Sequence, residues 1–120
     1  GNIGQPNALY IGDGSGGFET GVQFGRMDGQ TYAIKLADMN NDQSLDVVVG
    51  NVAQRNAVFF SNIAFFNEQT GDVFSETRFG DESAATYGLD VGDLDGDEFG
   101  DIVTANSGSQ NRIFLNRPKR

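Results

Sequence analysis

Shifted by 55 positions, the sequence falls on itself without a gap. Tyr32-Ala33-Ile34-Lys35-Leu36-Ala37-Asp38 lies over Tyr87-Gly88-Leu89-Asp90-Val91-Gly92-Asp93, and Asp46-Val47-Val48-Val49-Gly50-Asn51 over Asp101-Ile102-Val103-Thr104-Ala105-Asn106. A unit repeated at such a spacing folds as one supersecondary block that buries its apolar faces against its copies, which restricts the chain to a stacked or radial array. A third segment follows each unit and also opens the chain: Asn7-Ala8-Leu9-Tyr10-Ile11, Asn56-Ala57-Val58-Phe59-Phe60 and Asn111-Arg112-Ile113-Phe114-Leu115. A fourth appears as Gly17-Phe18-Glu19-Thr20 and as Val73-Phe74-Ser75-Glu76, the second copy after a longer excursion through Asn67-Glu68-Gln69-Thr70-Gly71.

Each unit reads as four short strands, in the first copy Tyr32 to Leu36, Leu45 to Gly50, Ala57 to Asn62 and Asp72 to Phe79. All are β-branched or aromatic and bounded by Gly, Asn or Asp. Four strands in such a unit describe a propeller blade, and the near-continuous apolar runs suit sheets covered on both faces. The expected fold is all-β, built of propeller blades of four antiparallel strands. Residues 1–26 supply the last two strands of a partial blade, 27–80 a complete blade, and 81–120 the first three strands of a second. That is about two and a quarter blades. Propellers close with roughly 4–8, so completion is expected from oligomerisation, as a trimer or tetramer, or from the rest of a longer propeller.

Composition narrows the chemistry. The 17 Gly supply turns, and long helices are not expected. With a net charge of −9 and only 8 Lys and Arg, the chain is not expected to bind nucleic acid, whose recognition rests on neutralising phosphates. No run of ~20 apolar residues predicts membrane insertion, and the first residues lack signal-peptide character. The absence of Cys and His removes disulfides, thiolate metal sites and the commonest general base.

The acid is not scattered. Asp38-Met39-Asn40-Asn41-Asp42-Gln43-Ser44-Leu45-Asp46 and Asp93-Leu94-Asp95-Gly96-Asp97-Glu98-Phe99-Gly100-Asp101 both join the first two strands of a unit and both read D-x-[DN]-x-D-x-x-x-D. Side-chain oxygens at positions 1, 3, 5 and 9, with the position-7 carbonyl of Ser44 or Phe99, can converge on a hard cation that takes six to eight oxygens at about 2.3–2.6 Å. This predicts two Ca²⁺ per chain, held by Asp38, Asn40, Asp42, Ser44 and Asp46, and by Asp93, Asp95, Asp97, Phe99 and Asp101. Turn formation alone accounts for one or two such residues, not for the whole set twice. An EF-hand is excluded by Gln43 or Glu98 at position 6, by Val49 or Thr104 at position 12, and by strand-like flanks.

Taken together, the acidic loop, the following Asp-aliphatic-aliphatic-x-Gly/Ala-Asn, the Asn-x-aliphatic-aromatic segment and the Gly-rich turn with Phe resemble the FG-GAP/VCBS repeat over nearly the whole chain. Such repeats build integrin α-subunit propellers and propeller lectins. The resemblance implies that Asp38, Asn40, Asp42, Asp46, Asp93, Asp95, Asp97 and Asp101 hold Ca²⁺. Gln43 and Glu98 replace a frequent Gly, so Asn41 or Gly96 is expected to take the left-handed position. The implied function is a noncatalytic, calcium-stabilised recognition module that binds carbohydrate or extracellular protein at inter-blade surfaces. The alternative is an architectural unit that self-assembles into a closed ring. An enzyme is not expected, and calcium at millimolar affinity points to an extracellular, periplasmic or cell-surface location.

Other features read as structural. Gly12-Asp13-Gly14-Ser15-Gly16-Gly17 matches G-x-G-x-x-G, but no helix follows to bind a pyrophosphate, which leaves a hairpin turn. Asn7, Asn56 and Asn111 are expected to cap turns through left-handed backbone. The tyrosines and phenylalanines are expected to pack between blades.

Overall fold

The computed structural model describes residues 1–19, 21–68 and 71–117. Thr20, Gln69, Thr70 and the end of the second unit from 118 lie outside the described residues. Among the described residues nine strands and one helix follow in the order β1 (Asn7–Leu9), β2 (Val22–Phe24), β3 (Thr31–Ala37), β4 (Asp46–Asn51), β5 (Asn56–Ser61), α1 (Ile63–Glu68), β6 (Phe74–Phe79), β7 (Ala85–Gly92), β8 (Asp101–Ser107) and β9 (Arg112–Phe114). They form three antiparallel sheets, β1-β2, β3-β4-β5-β6 and β7-β8-β9, each pairing sequence neighbours. The chain is all-β, and no ring closes among the described residues.

Strand β4 is buried at all six positions. Alternation explains it, since successive side chains point to opposite faces and both faces are covered. Val47 and Val49, with Ala57 and Phe59, pack under Phe24 of the first sheet and Phe74. Val48 and Val58 pack with Ile102 of the third sheet and with Met39. Phe24 meets Phe59 edge-on at 5.0 Å and 71°, and 55 residues later Phe79 meets Phe114 at 5.0 Å and 69°. Each such pair contributes about 0.5–1.5 kcal/mol beyond its buried area. Strands β3 and β7 lie alongside through Tyr32 and Tyr87, 4.9 Å apart, and through Lys35 Nζ, 3.1 Å from Asp90 Oδ1. Close approach also fixes Gly50, where a Cβ would stand 2.8 Å from Thr86 Cγ2. Its counterpart Ala105 is exposed.

A polar latch joins consecutive sheets. Asn7 Oδ1 accepts the Asn2 N–H at 2.8 Å, and Asn7 Nδ2 donates to Thr31 Oγ1, which donates to Asn51 Oδ1. Asn56, Asn51, Thr86 and Asn106 repeat the pattern with bonds of 2.7–3.0 Å. Asn7, Thr31, Asn51, Asn56 and Thr86 are buried and partnered, so Asn7 and Asn56 brace strands, while the third copy, Asn111, is exposed and accepts the Asn106 N–H at 2.8 Å. The left-handed conformation expected of them belongs instead to Gly4, Ala53 and Gly108, at φ 76°, 58° and 73°. Ala53 is the non-glycine of the three. A left-handed L-residue costs about 1–2 kcal/mol, and glycine adds about 0.5–1 kcal/mol of chain entropy. Ala53→Gly is therefore expected to stabilise the chain by about 0.5 kcal/mol, measured as a raised urea midpoint with unchanged slope.

Two local readings change. The excursion after β5 contains α1, started by Asn62 Oδ1 accepting the Ala64 N–H at 3.1 Å. Phe18 does not begin the fourth strand; it bridges Gly12 across a hairpin tip and is 72% exposed, while β2 starts at Val22. In that tip Asp13 Oδ1 accepts Ser15 N, Ser15 Oγ and Gly17 N, the hairpin turn expected of the glycine-rich segment.

Candidate metal centre

Both acidic loops hang between a unit's first and second strands, β3 to β4 and β7 to β8, and are wound in the same way. The position-1 carboxylate organises each loop by accepting backbone N–H groups. Asp38 takes those of Asp42 and Gln43 at 3.2 and 2.8 Å. Asp93 takes those of Gly96, Asp97 and Glu98 at 2.7, 3.1 and 2.9 Å. These donors, that of Glu98 foremost, hold the Asp93 carboxyl below the usual carboxylate range. Left-handed backbone sits at positions 4 and 6 together: Asn41 and Gln43 at φ 57° and 69°, Gly96 and Glu98 at φ 80° and 75°. Asn41 and Gly96 thus take the expected conformation without sparing Gln43 and Glu98.

The position-9 carboxylates are the fixed points. Asp46 and Asp101 have no solvent exposure. Asp46 accepts the Met39 and Ser61 N–H groups at 2.8 and 3.0 Å, and Asp101 those of Leu94 and Asn116, both at 2.8 Å. Burial, and then the nearby Asp42 and Asp38 charges, push the Asp46 carboxyl above its ordinary value.

In the second loop, oxygens of Asp93, Asp95 and Asp101 all lie within 4.8 Å of one another. Two ligands of one Ca²⁺ stand at most about 5 Å apart, so this spacing fits a single ion. Asp97 lies outside that cluster; its Oδ1 accepts the Phe99 N–H at 3.0 Å. In the first loop Asp42 Oδ1 accepts the Ser44 N–H at 2.9 Å in the same way. The Asn40 amide, turned to donate, stands 3.1 Å from Asp38 Oδ1 and 3.0 and 3.2 Å from the two Asp42 oxygens. Positions 1, 3 and 5 therefore converge there. The two loops also touch, through Asn41 Nδ2 donating to Glu98 O at 3.1 Å.

Comparison with known families decides what kind of repeat this is: the FG-GAP-like repeat matches residues 38–104, from the first residue of one loop to beyond the end of the other. The chain belongs to the FG-GAP-like repeat family. No curated protein and no solved structure matches it. The FG-GAP match spans one full period, so both loops and the β4 to β7 stretch between them fall inside it.

Three residues of the site escape a reading confined to the D-x-[DN]-x-D-x-x-x-D spacing. Ser61 and Asn116, 55 apart, the one ending β5 and the other two residues past β9, buttress position 9; their shared place in the repeat was the available signal. Arg117 Nε lies 3.3 Å from Asp95 Oδ2, a contact with no sequence signature. It puts a tethered cation at a position-3 ligand. Arg117→Ala is expected to raise calcium affinity at the second loop about two- to fivefold, since an exposed ion pair is worth roughly 0.2–1 kcal/mol. Calorimetric titration of the variant against the parent checks this.

Proposed function

We propose that the chain is a noncatalytic, calcium-stabilised part of a β-propeller recognition module. The observation that carries it is the convergence of Asp93, Asp95 and Asp101 oxygens in the second loop, in a hairpin whose hydrogen-bonded frame and buried position-9 aspartate recur in the first loop 55 residues earlier. FG-GAP repeats often bind calcium, and these donors are all oxygen, the preference of a hard cation. Asp38, Asn40, Asp42, Ser44 and Asp46 would hold one ion, and Asp93, Asp95, Asp97, Phe99 and Asp101 the other. The ion would screen carboxylates that otherwise repel one another and so lock each β-hairpin.

On this reading the three sheets are two and a quarter blades, and partners supply the rest of the ring. Further repeats in a longer propeller suit the strand count. A trimer or tetramer of this chain would demand that β1 or β9 give way, because both occupy the third place of their sheets. Recognition is assigned to inter-blade surfaces. A cleft of about 270 Å³ between the first and second sheets is lined by Arg26, Arg55, Arg78, Asp28, Glu76 and Glu82, which offer donors and acceptors to a hydroxyl-rich glycan or a polar protein loop. Catalysis is not assigned, since the buried carboxylates are committed to backbone N–H groups. Millimolar calcium favours an extracellular, periplasmic or surface setting; among the described residues no helix is long and apolar enough to cross a membrane.

A glycan array and pull-downs from surface extracts, each with and without calcium, test the recognition reading. Calcium-dependent capture lost in Arg55→Ala supports it. Silence in both formats overturns it.

A further inference from the structure

Two hydrogen-bonded routes run from ligand positions of the first acidic loop to ligand positions of the second. The shorter starts at Asn41, which stands between Asn40 and Asp42 at position 4. Its Nδ2 donates to the Glu98 carbonyl at 3.1 Å. That carbonyl lies in one rigid peptide plane with the Phe99 N–H, which donates to Asp97 Oδ1 at 3.0 Å. The grip therefore falls on the peptide between two members of the second loop's oxygen set.

The longer route joins the two buried carboxylates. Asp46 Oδ2 accepts the Met39 N–H at 2.8 Å, the Met39 carbonyl accepts Asn116 Nδ2 at 2.7 Å, and the Asn116 N–H donates to Asp101 Oδ1 at 2.8 Å. Asn116 Nδ2 also reaches the Gly100 carbonyl at 3.1 Å. The Met39 side chain, 4% exposed, is clustered with Ile102, the residue after Asp101. Neither amide is part of the repeat. Fifty-five residues on, Asn41 becomes Gly96, which has no side chain; fifty-five residues back, Asn116 becomes Ser61, whose hydroxyl turns to Asp46 at 3.4 Å.

We propose that the two acidic loops take up calcium cooperatively, and that Asn41 and Asn116 are the positioning residues that couple them. The proposal rests on the calcium reading above. When Asn40 and Asp42 are fixed on an ion, Asn41 between them is fixed as well, and its amide holds the Glu98–Phe99 peptide in place. The second loop then gives up less conformational freedom on its own filling, and by linkage the first gains equally from the second. Charge works the other way, since filling one loop weakens the negative field that draws the second ion. Salt at about 0.15 M screens that field beyond about 8 Å, while the bonds remain. The net worth of such bonds sets a coupling factor of roughly three- to tenfold.

Titration of Ca²⁺ into the full chain at that salt, read loop by loop on the amides of positions 61 and 116, tests the coupling. The first loop should bind roughly three- to tenfold more weakly in Asp95→Ala than in the parent. The second should weaken by the same factor in Asp42→Ala. Asn41→Gly keeps the left-handed backbone and removes only the amide, and Asn116→Ala keeps the backbone N–H on Asp101. Together they should bring both factors to about one. Each factor is a ratio within one background, so a general loosening of the loops cancels. Amide exchange supplies a second readout: in Asp95→Ala, filling the first loop should slow the Glu98 and Phe99 amides about threefold or more, an effect lost when Asn41→Gly is added. A factor of one in the parent, a factor in one direction only, or factors that survive the double variant would overturn the proposal. Two independent sites leave the calcium reading standing; no uptake by either loop removes both.

Discussion

Asp46→Ala and Asp101→Ala are expected to destabilise the chain by about 2–5 kcal/mol each, even in chelator. Each removal strands two N–H donors, those of Met39 and Ser61 or of Leu94 and Asn116, the Met39 bond being buried and the other three part-buried. A buried donor left without an acceptor costs about 1–3 kcal/mol, against a total stability of about 5–15 kcal/mol for a domain. Asp95→Ala should behave in the opposite way. Among the described residues Asp95 accepts only the exposed Arg117 contact, so its loss in chelator should stay within about 0.5 kcal/mol, while calcium affinity at the second loop falls tenfold or more. Urea unfolding of the three variants, with and without calcium, separates a bracing carboxylate from a ligand. Equal losses for all three in chelator would mean that the loops are held by something other than position 9.

The second large effect is that of the metal. At ten times a dissociation constant of about 10⁻⁴–10⁻³ M, each ion contributes roughly 1.4 kcal/mol, and two ions should raise the melting temperature by roughly 10 °C over chelator. Acid should act unequally on the two loops. A carboxyl whose pKa lies above its unfolded value takes up protons while the others are still charged, and Asp46 is such a group. Asp93 is the reverse, held low by its N–H donors. Protons therefore displace calcium from the first loop at a higher pH than from the second. In calcium-free solution, Asp46 favours folding below the ordinary carboxylate range and opposes it above its raised value. Asp93 favours folding above that range and loses the effect as pH falls. Calcium titrations at descending pH, read on Ser61 and Asn116 amides, check the order; simultaneous release from both loops would count against it.

The repeat made the strands legible, because periodic Val, Ile and Phe bounded by Gly, Asn and Asp leave few alternatives for the backbone. Expected Leu45 to Gly50 became Asp46–Asn51, and Asp72 to Phe79 became Phe74–Phe79, shifts of one or two residues at frayed ends. The stacking was less legible. That Val48 faces one sheet while Val47 and Val49 face another depends on neighbours that a single strand does not encode. Helix α1 hid inside an irregular excursion, since Ile-Ala-Phe-Phe-Asn-Glu is too short to show a helical period. At the metal loops, spacing named the oxygens but not their division of labour. Only the fold shows that Asp46 and Asp101 are buried braces, that Asp97 turns toward the Phe99 amide, and that Asn41 ties the two loops together. The position-6 conformation also went against the residue type: Gln43 and Glu98 are left-handed although each carries a Cβ. The turn is fixed by the N–H groups that converge on position 1, and that network outweighs a local strain of about 1–2 kcal/mol.

Isothermal titration of Ca²⁺ into the chelator-stripped chain tests the central claim most directly. Two equivalents should bind, the Asp95→Ala chain should retain one of them, and the parent should gain thermal stability in step with occupancy. No uptake at millimolar calcium, together with an unchanged melting curve, would contradict the account.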